Sequence, residues 1–166
     1  MKIFTITKTM IHLEFYKPED LSGVSYALDE NQMQFTATTQ QALQSISERD
    51  DDDAFPVTIF ENGLPVGFFV LDFGKDKFEL TDDETSVLLR SLSVNPRMQG
   101  KGIGKMAMLE VGNFVKTHFG DCNEIVLAVN QKNDSAYHIY LQSGYIFDGK
   151  TRIGRSGPQY LMYKKL

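Results

Sequence analysis

The sequence predicts an α/β fold: one mixed, mostly antiparallel sheet with helices on both faces and a strand–glycine loop–helix unit at its centre. Three observations carry that expectation. Apolar residues Leu88, Leu89, Leu92 and Val94 stop at Pro96, and Gly100, Gly102 and Gly104 follow before a strongly periodic helical stretch. Residues 124–129 are almost continuously apolar, as in a strand covered on both faces. Asn62-Gly63 separates two strand-like runs, a pair common in tight hairpin turns.

Along the chain, residues 3–6 and 11–15 read as strand. Pro18 suits a first helical turn, Glu19 and Asp20 complement its dipole, and Leu21, Val24, Ser25 and Leu28 continue helical spacing to Asp29. A more polar helix spans residues 39–47, with Ala42, Leu43 and Ile46 inward, and the acidic run 50–53 is a loop. The hairpin strands are residues 57–61 and 66–72, and a polar connection, 74–84, leads to a third strand at 86–94. From Gly102 to Phe119, residues Ile103, Ala107, Val111, Phe114, Val115 and His118 recur at threes and fours, which makes a helix with one buried stripe. Asn133-Asp134-Ser135 opens a last helix through Ala136, Tyr137, Tyr140 and Leu141, and Gly144 stops it. Residues 145–147 and 160–163 close the sheet around a turn at 154–157. With no linker or repeat, residues 1–166 read as one domain with enough chain for a real core.

Composition narrows the function. Seventeen Lys and Arg against 22 Asp and Glu leave a net charge of −5, which argues against nucleic acid as a general partner. The lone Cys122 excludes a disulfide framework. No apolar run approaches the roughly 18 residues that span a bilayer. The first residues lack the apolar core of a signal peptide, so the expected location is cytoplasmic and no membrane partner is expected. Acidic clusters at 48–53 and 82–84 are either solvated loops or a means of attracting a cationic substrate such as a polyamine.

The central loop favours an anion. Glycine lets backbone approach a ligand closely, and the first N–H groups of a helix lack intrahelical partners. The helix dipole adds roughly half a positive charge there. Arg97, Lys101 and Lys105 add formal charge, so the ligand carries phosphate. A Walker loop needs Ser or Thr after Gly-Lys, but Met106 follows Lys105. A dinucleotide fingerprint would put Ala107 in its last glycine slot, and Glu124 precedes its strand where an acidic residue should end it. What remains is Gln99-x-x-Gly102-x-Gly104 preceded by Val94-x-Pro96. This resembles the pyrophosphate loop of the GCN5-related N-acetyltransferases (GNAT). A second block, Asn133-x-x-Ala136-x-x-x-Tyr140-x-x-x-Gly144-Tyr145, is similar to that family's other cofactor-contacting segment, and the element order matches over nearly the whole chain, least well in residues 1–55.

The resemblance implies acetyl-CoA as co-substrate, a primary amine of a small molecule or peptide as acceptor, and no metal. It implies that backbone groups of Gln99, Gly100, Lys101, Gly102, Ile103, Gly104 and Lys105 hold the pyrophosphate. Leu92, Ser93 and Val94 would pair with the pantetheine arm and the acetyl oxygen, as an added strand does. Asn133 would contact the cofactor or simply cap its helix. Tyr140 would protonate the departing thiolate, though a phenol near pKa 10 serving a thiol near 8.5 is uphill by roughly 2 kcal/mol, so it either transfers the proton or only donates a hydrogen bond. The other reading of Tyr140 is core packing. Dimers are common among similar proteins.

The base is the departure from the pattern. An alkyl amine at pH 7 is almost wholly protonated, a deficit of roughly 4.6 kcal/mol. Many relatives place a glutamate on the strand before the loop, yet residues 86–94 hold no carboxylate and Arg90 brings the opposite charge. Asp72, Glu79, Glu84 and His138 are candidate relays, and water-mediated deprotonation is the default. A missing base also leaves open a coenzyme A-binding module without turnover, used for regulation or interaction.

Overall fold

Among the described residues, seven strands form one sheet in the order β1-β2-β3-β4-β5-β7-β6. They are β1 (Ile11–Phe15), β2 (Ala54–Glu61), β3 (Leu64–Asp72), β4 (Ser86–Val94), β5 (Glu124–Asn130), β6 (Ile146–Gly154) and β7 (Gly157–Lys165). This computed structural model describes residues 9–166, so the strand expected at 3–6 lies outside the described residues. All neighbouring strands run antiparallel except β4 and β5, which are parallel. The helices are α1 (Leu21–Val24), α2 (Glu30–Phe35), α3 (Thr39–Ser47), α4 (Ile103–His118) and α5 (Asp134–Gln142).

Alternation along β3 divides the interior. Phe69 and Leu71 join the larger core with Ile103, Ala107 and Val111 of α4 and Tyr140 of α5. Phe68 and Val70 point the other way, against Val24 of α1 and Ala42 of α3. Helices thus cover both faces. Phe68 and Phe69 are fully buried, and each such side chain contributes about 1.5–3 kcal/mol. The hairpin turn is built as its residues suggest, with Asn62 at φ 48° and Gly63 at φ 81°.

Two local expectations fail for tertiary reasons. The helix expected from Pro18 to Asp29 is one 3-10 turn (Pro18–Asp20) plus the single turn of α1. It stops at Ser25 because Tyr26 shares a 2.7 Å hydrogen bond with Ser93 of β4, and Asp29 instead accepts from the Gln32 N–H to cap α2. His118, expected on the buried stripe of α4, is exposed; its ring packs 4.8 Å from Phe15 and 4.4 Å from Phe114 as a cover over them. Met108 fills the stripe instead. The closing strands β6 and β7 are longer than expected, with Arg155 and Ser156 at their turn.

One feature of the sheet positions the site. β4 and β5 pair only where Ser86, Val87 and Leu88 meet Glu124, Ile125 and Val126. Beyond Leu88 no ladder joins them. On its other edge β4 carries a bulge: Val70 faces Arg90 and Phe68 faces Ser93, so two residues, Ser91 and Leu92, oppose Phe69. Ser91 sits at φ 60°, rare for a residue with a side chain. The bulge adds twist, and β4 bends away from β5.

Candidate active site

The parted strands open into a cavity of about 1180 Å³. Its walls are β4 from Leu88 to Val94, the end of β5, the loop into α4, the first turns of α5, the segment around α2 and the β6–β7 turn.

At one end lies the start of α4. Gly102, its N-cap, has φ 77° and offers no side chain, so no cap bond satisfies the first amides. The first intrahelical bond there is from the Met106 N–H to the Gly102 carbonyl, which leaves the N–H groups of Ile103, Gly104 and Lys105 without helical acceptors. The other helices of six or more residues are capped, α2 by Asp29, α3 by Thr38 and α5 by Asn133. Gly100, also left-handed at φ 80°, turns the loop toward the same opening. A Cβ at Gly104 would meet Ile139 Cδ1 at 3.4 Å, an ordinary contact distance, which places α4 against α5 there. Gln99 Nε2 reaches the Val94 carbonyl at 3.4 Å and ties loop to strand.

Of the residues read from the sequence as site residues, eleven border the cavity: Leu92, Ser93, Val94, Gln99, Gly100, Gly102, Ile103, Gly104, Lys105, Asn133 and Tyr140. Lys101 does not; its Nζ lies 3.9 Å from Met98 Sδ. Ser93 is buried, and its hydroxyl is engaged by Tyr26, whose phenol burial pushes up to about 12 against the pull of that hydrogen bond. Asn133 Oδ1 accepts the Ala136 N–H at 3.3 Å, so its side chain caps α5. Tyr140 is 7% exposed, stacks edge-on at 5.5 Å from Tyr145, and burial raises its phenol above the ordinary value of 10.

None of the four candidate relays borders the cavity. Asp72 is fully buried and receives both Arg49 nitrogens at 2.7 and 3.0 Å. Burial pushes its carboxyl up, but Arg49, the Gly74 N–H and Arg90 outweigh that and hold it below the usual carboxylate range. Glu79 pairs with Arg152 at 2.6 Å. Glu84 contributes its backbone carbonyl to Lys77. His138 is exposed, with Nδ1 2.7 Å from the Asp134 carbonyl.

A further wall of the cavity escaped the sequence reading at the level of residues. It is formed by Asp29, Gln34 and Phe35 around α2, Arg90 of β4, and Arg152, Arg155 and Ser156 of the β6–β7 arm. Neither the 73–85 loop nor the acidic clusters at 48–53 and 82–84 border it. A signal for α2 was present in the capping-box spacing Asp29-x-x-Gln32, repeated at Thr38-x-x-Gln41 for α3. Among the described residues no His, Cys, Asp and Glu cluster could hold a metal ion, and no helix is long and apolar enough to cross a membrane.

Comparison with known proteins agrees with this geometry. The family model described as "Acetyltransferase (GNAT) family" matches residues 21–145. The uncharacterized N-acetyltransferase YbbJ of Bacillus subtilis (strain 168) is 38% identical over 156 residues, covering 92% of this chain and 96% of its own. Among solved structures, the spermidine N-acetyltransferase of Vibrio cholerae in complex with CoA and spermine superposes with a TM-score of 0.69 at 17% identity, over 93% of this chain and 95% of that one. The aminoglycoside acetyltransferase AAC(6')-Ib in complex with coenzyme A and kanamycin gives 0.75 at 18% identity, over 94% and 95%. At these identities the two structures speak for the fold.

Proposed function

We propose, for a chain that belongs to the GNAT acetyltransferase family and is an acetyl-CoA-dependent N-acetyltransferase, direct transfer of the acetyl group to a primary amine of a small molecule or peptide inside the β4–β5 cleft. The observation that carries this reading is the coincidence of two features: a strand edge left unpaired beyond Leu88, and an uncapped helix start at its mouth.

Each part of the cleft then has a task. The free amides of Ile103, Gly104 and Lys105, approached across Gly100 and Gly102, suit the pyrophosphate, and the positive end of the 16-residue α4 adds to them. Lys105 brings a full charge to the same opening. The edge of β4 at Leu92, Ser93 and Val94 suits the amide-bearing pantetheine arm, which pairs with it as a further strand. A backbone donor aimed from that edge at the developing oxyanion is typically worth about 3 kcal/mol. Gln99 contributes by fixing the loop to Val94, and Asn133 by fixing the start of α5. Lys101 is left out of the proposed set because it does not border the cavity.

When bound, acetyl-CoA supplies a thioester: the amine nitrogen bonds to the acetyl carbon, the carbon–sulfur bond breaks, the sulfur leaves with the electron pair as a thiolate that then takes its proton from solvent, and the amine gives up its own proton to water. Tyr140 is the proposed donor to that sulfur. Its burial keeps the phenol in the protonated form, which a donor requires. The same burial makes full transfer harder than the roughly 2 kcal/mol of an ordinary phenol–thiol pair, so Tyr140 acts through a hydrogen bond that strengthens as charge builds on sulfur.

A second reading, a coenzyme A-binding module without turnover, draws on one observation: none of the four candidate proton relays borders the cavity. One experiment separates the two. Thiol release from acetyl-CoA is followed with a broad amine panel, alongside calorimetric titration of CoA. Turnover with any class of amine supports the enzyme; CoA binding with no thiol release across the panel supports the module; neither binding nor release defeats both.

A further inference from the structure

We infer that the acceptor carries a carboxylate beside its amine, and that Arg155, in the β6–β7 turn, is the residue that reads it. This rests on the acetyl-transfer reading of the cleft and names its acceptor class.

The argument begins with which charges around the cavity are free. Lys105 and Lys132 stand beside the starts of α4 and α5, at the phosphate end, with Asp134. Along the wall formed by the α2 segment, β4 and the β6–β7 arm stand three arginines and one carboxylate, Asp29. Two of those arginines are neutralised from outside the cavity. Arg90 Nη1 lies 3.2 Å from Asp72 and 3.0 Å from Asp76. Arg152 pairs with Glu79 and donates from Nε to Gln159 at 2.8 Å. Arg155, an exposed residue on the cavity wall, has neither an ion pair nor a side-chain hydrogen bond among the described residues, so its charge is the unneutralised one on that wall.

An unpaired arginine on a loose turn would be an ordinary solvated side chain. This turn is fastened on both sides. Ser156 Oγ donates to the Gln34 carbonyl next to α2 at 2.8 Å, and the Ser156 carbonyl accepts from Asn130 Nδ2 at the end of β5 at 3.0 Å. The two bonds draw three distant segments into one wall and hold the Arg155 backbone against the cavity. A guanidinium keeps its charge at every working pH, and its planar fork matches a carboxylate with two parallel hydrogen bonds. Asp29 has one oxygen occupied by the Gln32 N–H at 2.8 Å, and its charge on the same wall suits the acceptor's ammonium before reaction. An amine with its own carboxylate satisfies both side chains. A polycation satisfies Asp29 and is repelled by Arg155, and the acidic clusters that would draw it lie elsewhere on the molecule.

The test uses the whole chain and pairs of acceptors differing in one charge: α-amino acids and ω-aminocarboxylates against their carboxamides, with spermidine and kanamycin as a polycation arm. Thiol release should favour the carboxylate of the best pair by at least about tenfold in kcat/KM, the worth of one good charge-assisted contact. In Arg155→Gln that ratio should collapse toward one, chiefly through KM, with Arg155→Lys intermediate, while the Kd for CoA stays within twofold. Preference for the polycations, or a carboxylate ratio that survives Arg155→Gln, overturns the inference and leaves acetyl transfer intact. A weakened CoA Kd with an unchanged ratio also overturns it, because Arg155 would then serve the coenzyme's phosphates. If no acceptor turns over, calorimetry of amino carboxylates on the CoA-loaded chain decides: binding lost in Arg155→Gln upholds the inference while acetyl transfer fails, and absence of binding defeats the inference.

Discussion

Replacing Gly102 by alanine separates what the loop does for the fold from what it does for the ligand. Gly102 holds φ 77° and ψ 13° in front of α4. An L-residue in that conformation costs about 1–2 kcal/mol, partly offset by the roughly 0.4–1 kcal/mol gained from a less flexible unfolded chain. Sterics add nothing, because the nearest atom to the added Cβ is Met106 Cε at 4.0 Å. The net loss is therefore about 1 kcal/mol, or roughly 2–4 °C in Tm for a chain of this size. Binding should suffer more. If the segment relaxes out of the left-handed region, the amides of Ile103 and Gly104 turn away from the mouth of the cleft, and each charge-assisted hydrogen bond lost is worth about 1.5–3 kcal/mol. That corresponds to roughly a 10- to 100-fold rise in the Kd for CoA. Calorimetric titration of CoA and a thermal melt on the same sample read the two effects independently. A Tm that falls as stated beside a Kd that stays within twofold would show that these amides do not hold the pyrophosphate.

Tyr140→Phe should lower kcat by at least about 100-fold, the lower end for one lost hydrogen-bond donor to a developing charge, while the KM for acetyl-CoA changes little. Because burial disfavours the phenolate, Tyr140 should stay a donor past pH 10, and wild-type kcat should show no alkaline decline from it below that pH; an unchanged kcat from pH 6 to 10 in the variant removes Tyr140 from the chemistry. Asp72→Asn leaves Arg49, three-quarters buried, without its carboxylate, and should cost about 2–3 kcal/mol, below the 3–5 typical of fully buried pairs. The Asp72 carboxyl is held lower in the folded chain than its unfolded value near 3.9, so its stabilising effect is complete above that pH and is lost as pH falls through the folded value. Denaturant melts from pH 7 to pH 2 should accordingly show a shallower acid decline in the variant, and parallel curves would assign the acid sensitivity elsewhere.

The parts of the molecule that could be read from sequence are those whose causes are local. Asn62-Gly63 dictates its own turn, the α4 stripe from Ile103 to Val115 needs only its spacing, and the Gly100–Gly104 loop announces itself because both its glycines with positive φ lie within three residues. The failures are distant events. Nothing near Tyr26 says that its hydroxyl will reach Ser93, 67 residues on, and so end a helix that Leu21 and Val24 had begun. Asp72 looked like an available base at a strand end until Arg49, 23 residues earlier, closed on it with two hydrogen bonds. The acceptor wall depends on a contact between Ser156 and Gln34, 122 residues apart, and no pattern in either segment encodes it.

The bulge at Ser91 joins the fold to the chemistry. A non-glycine residue at φ 60° costs about 1–3 kcal/mol, and β4 also gives up every ladder bond to β5 beyond Leu88. Such losses persist only where the surroundings fix them. Here Phe69 is fully buried opposite the extra residue, and the Tyr26–Ser93 hydrogen bond grips β4 two residues later from the face away from α4. With that face fastened, the strand cannot swing back to pair with β5, and its edge stays available beside the α4 amides. The α1–α2 segment therefore has two duties that look unrelated in the sequence: Tyr26 keeps the cleft open from behind, and Asp29, three residues further, forms part of its acceptor wall. Loss of the Tyr26 hydroxyl would act on both, because it releases the strand and frees the segment that carries Asp29.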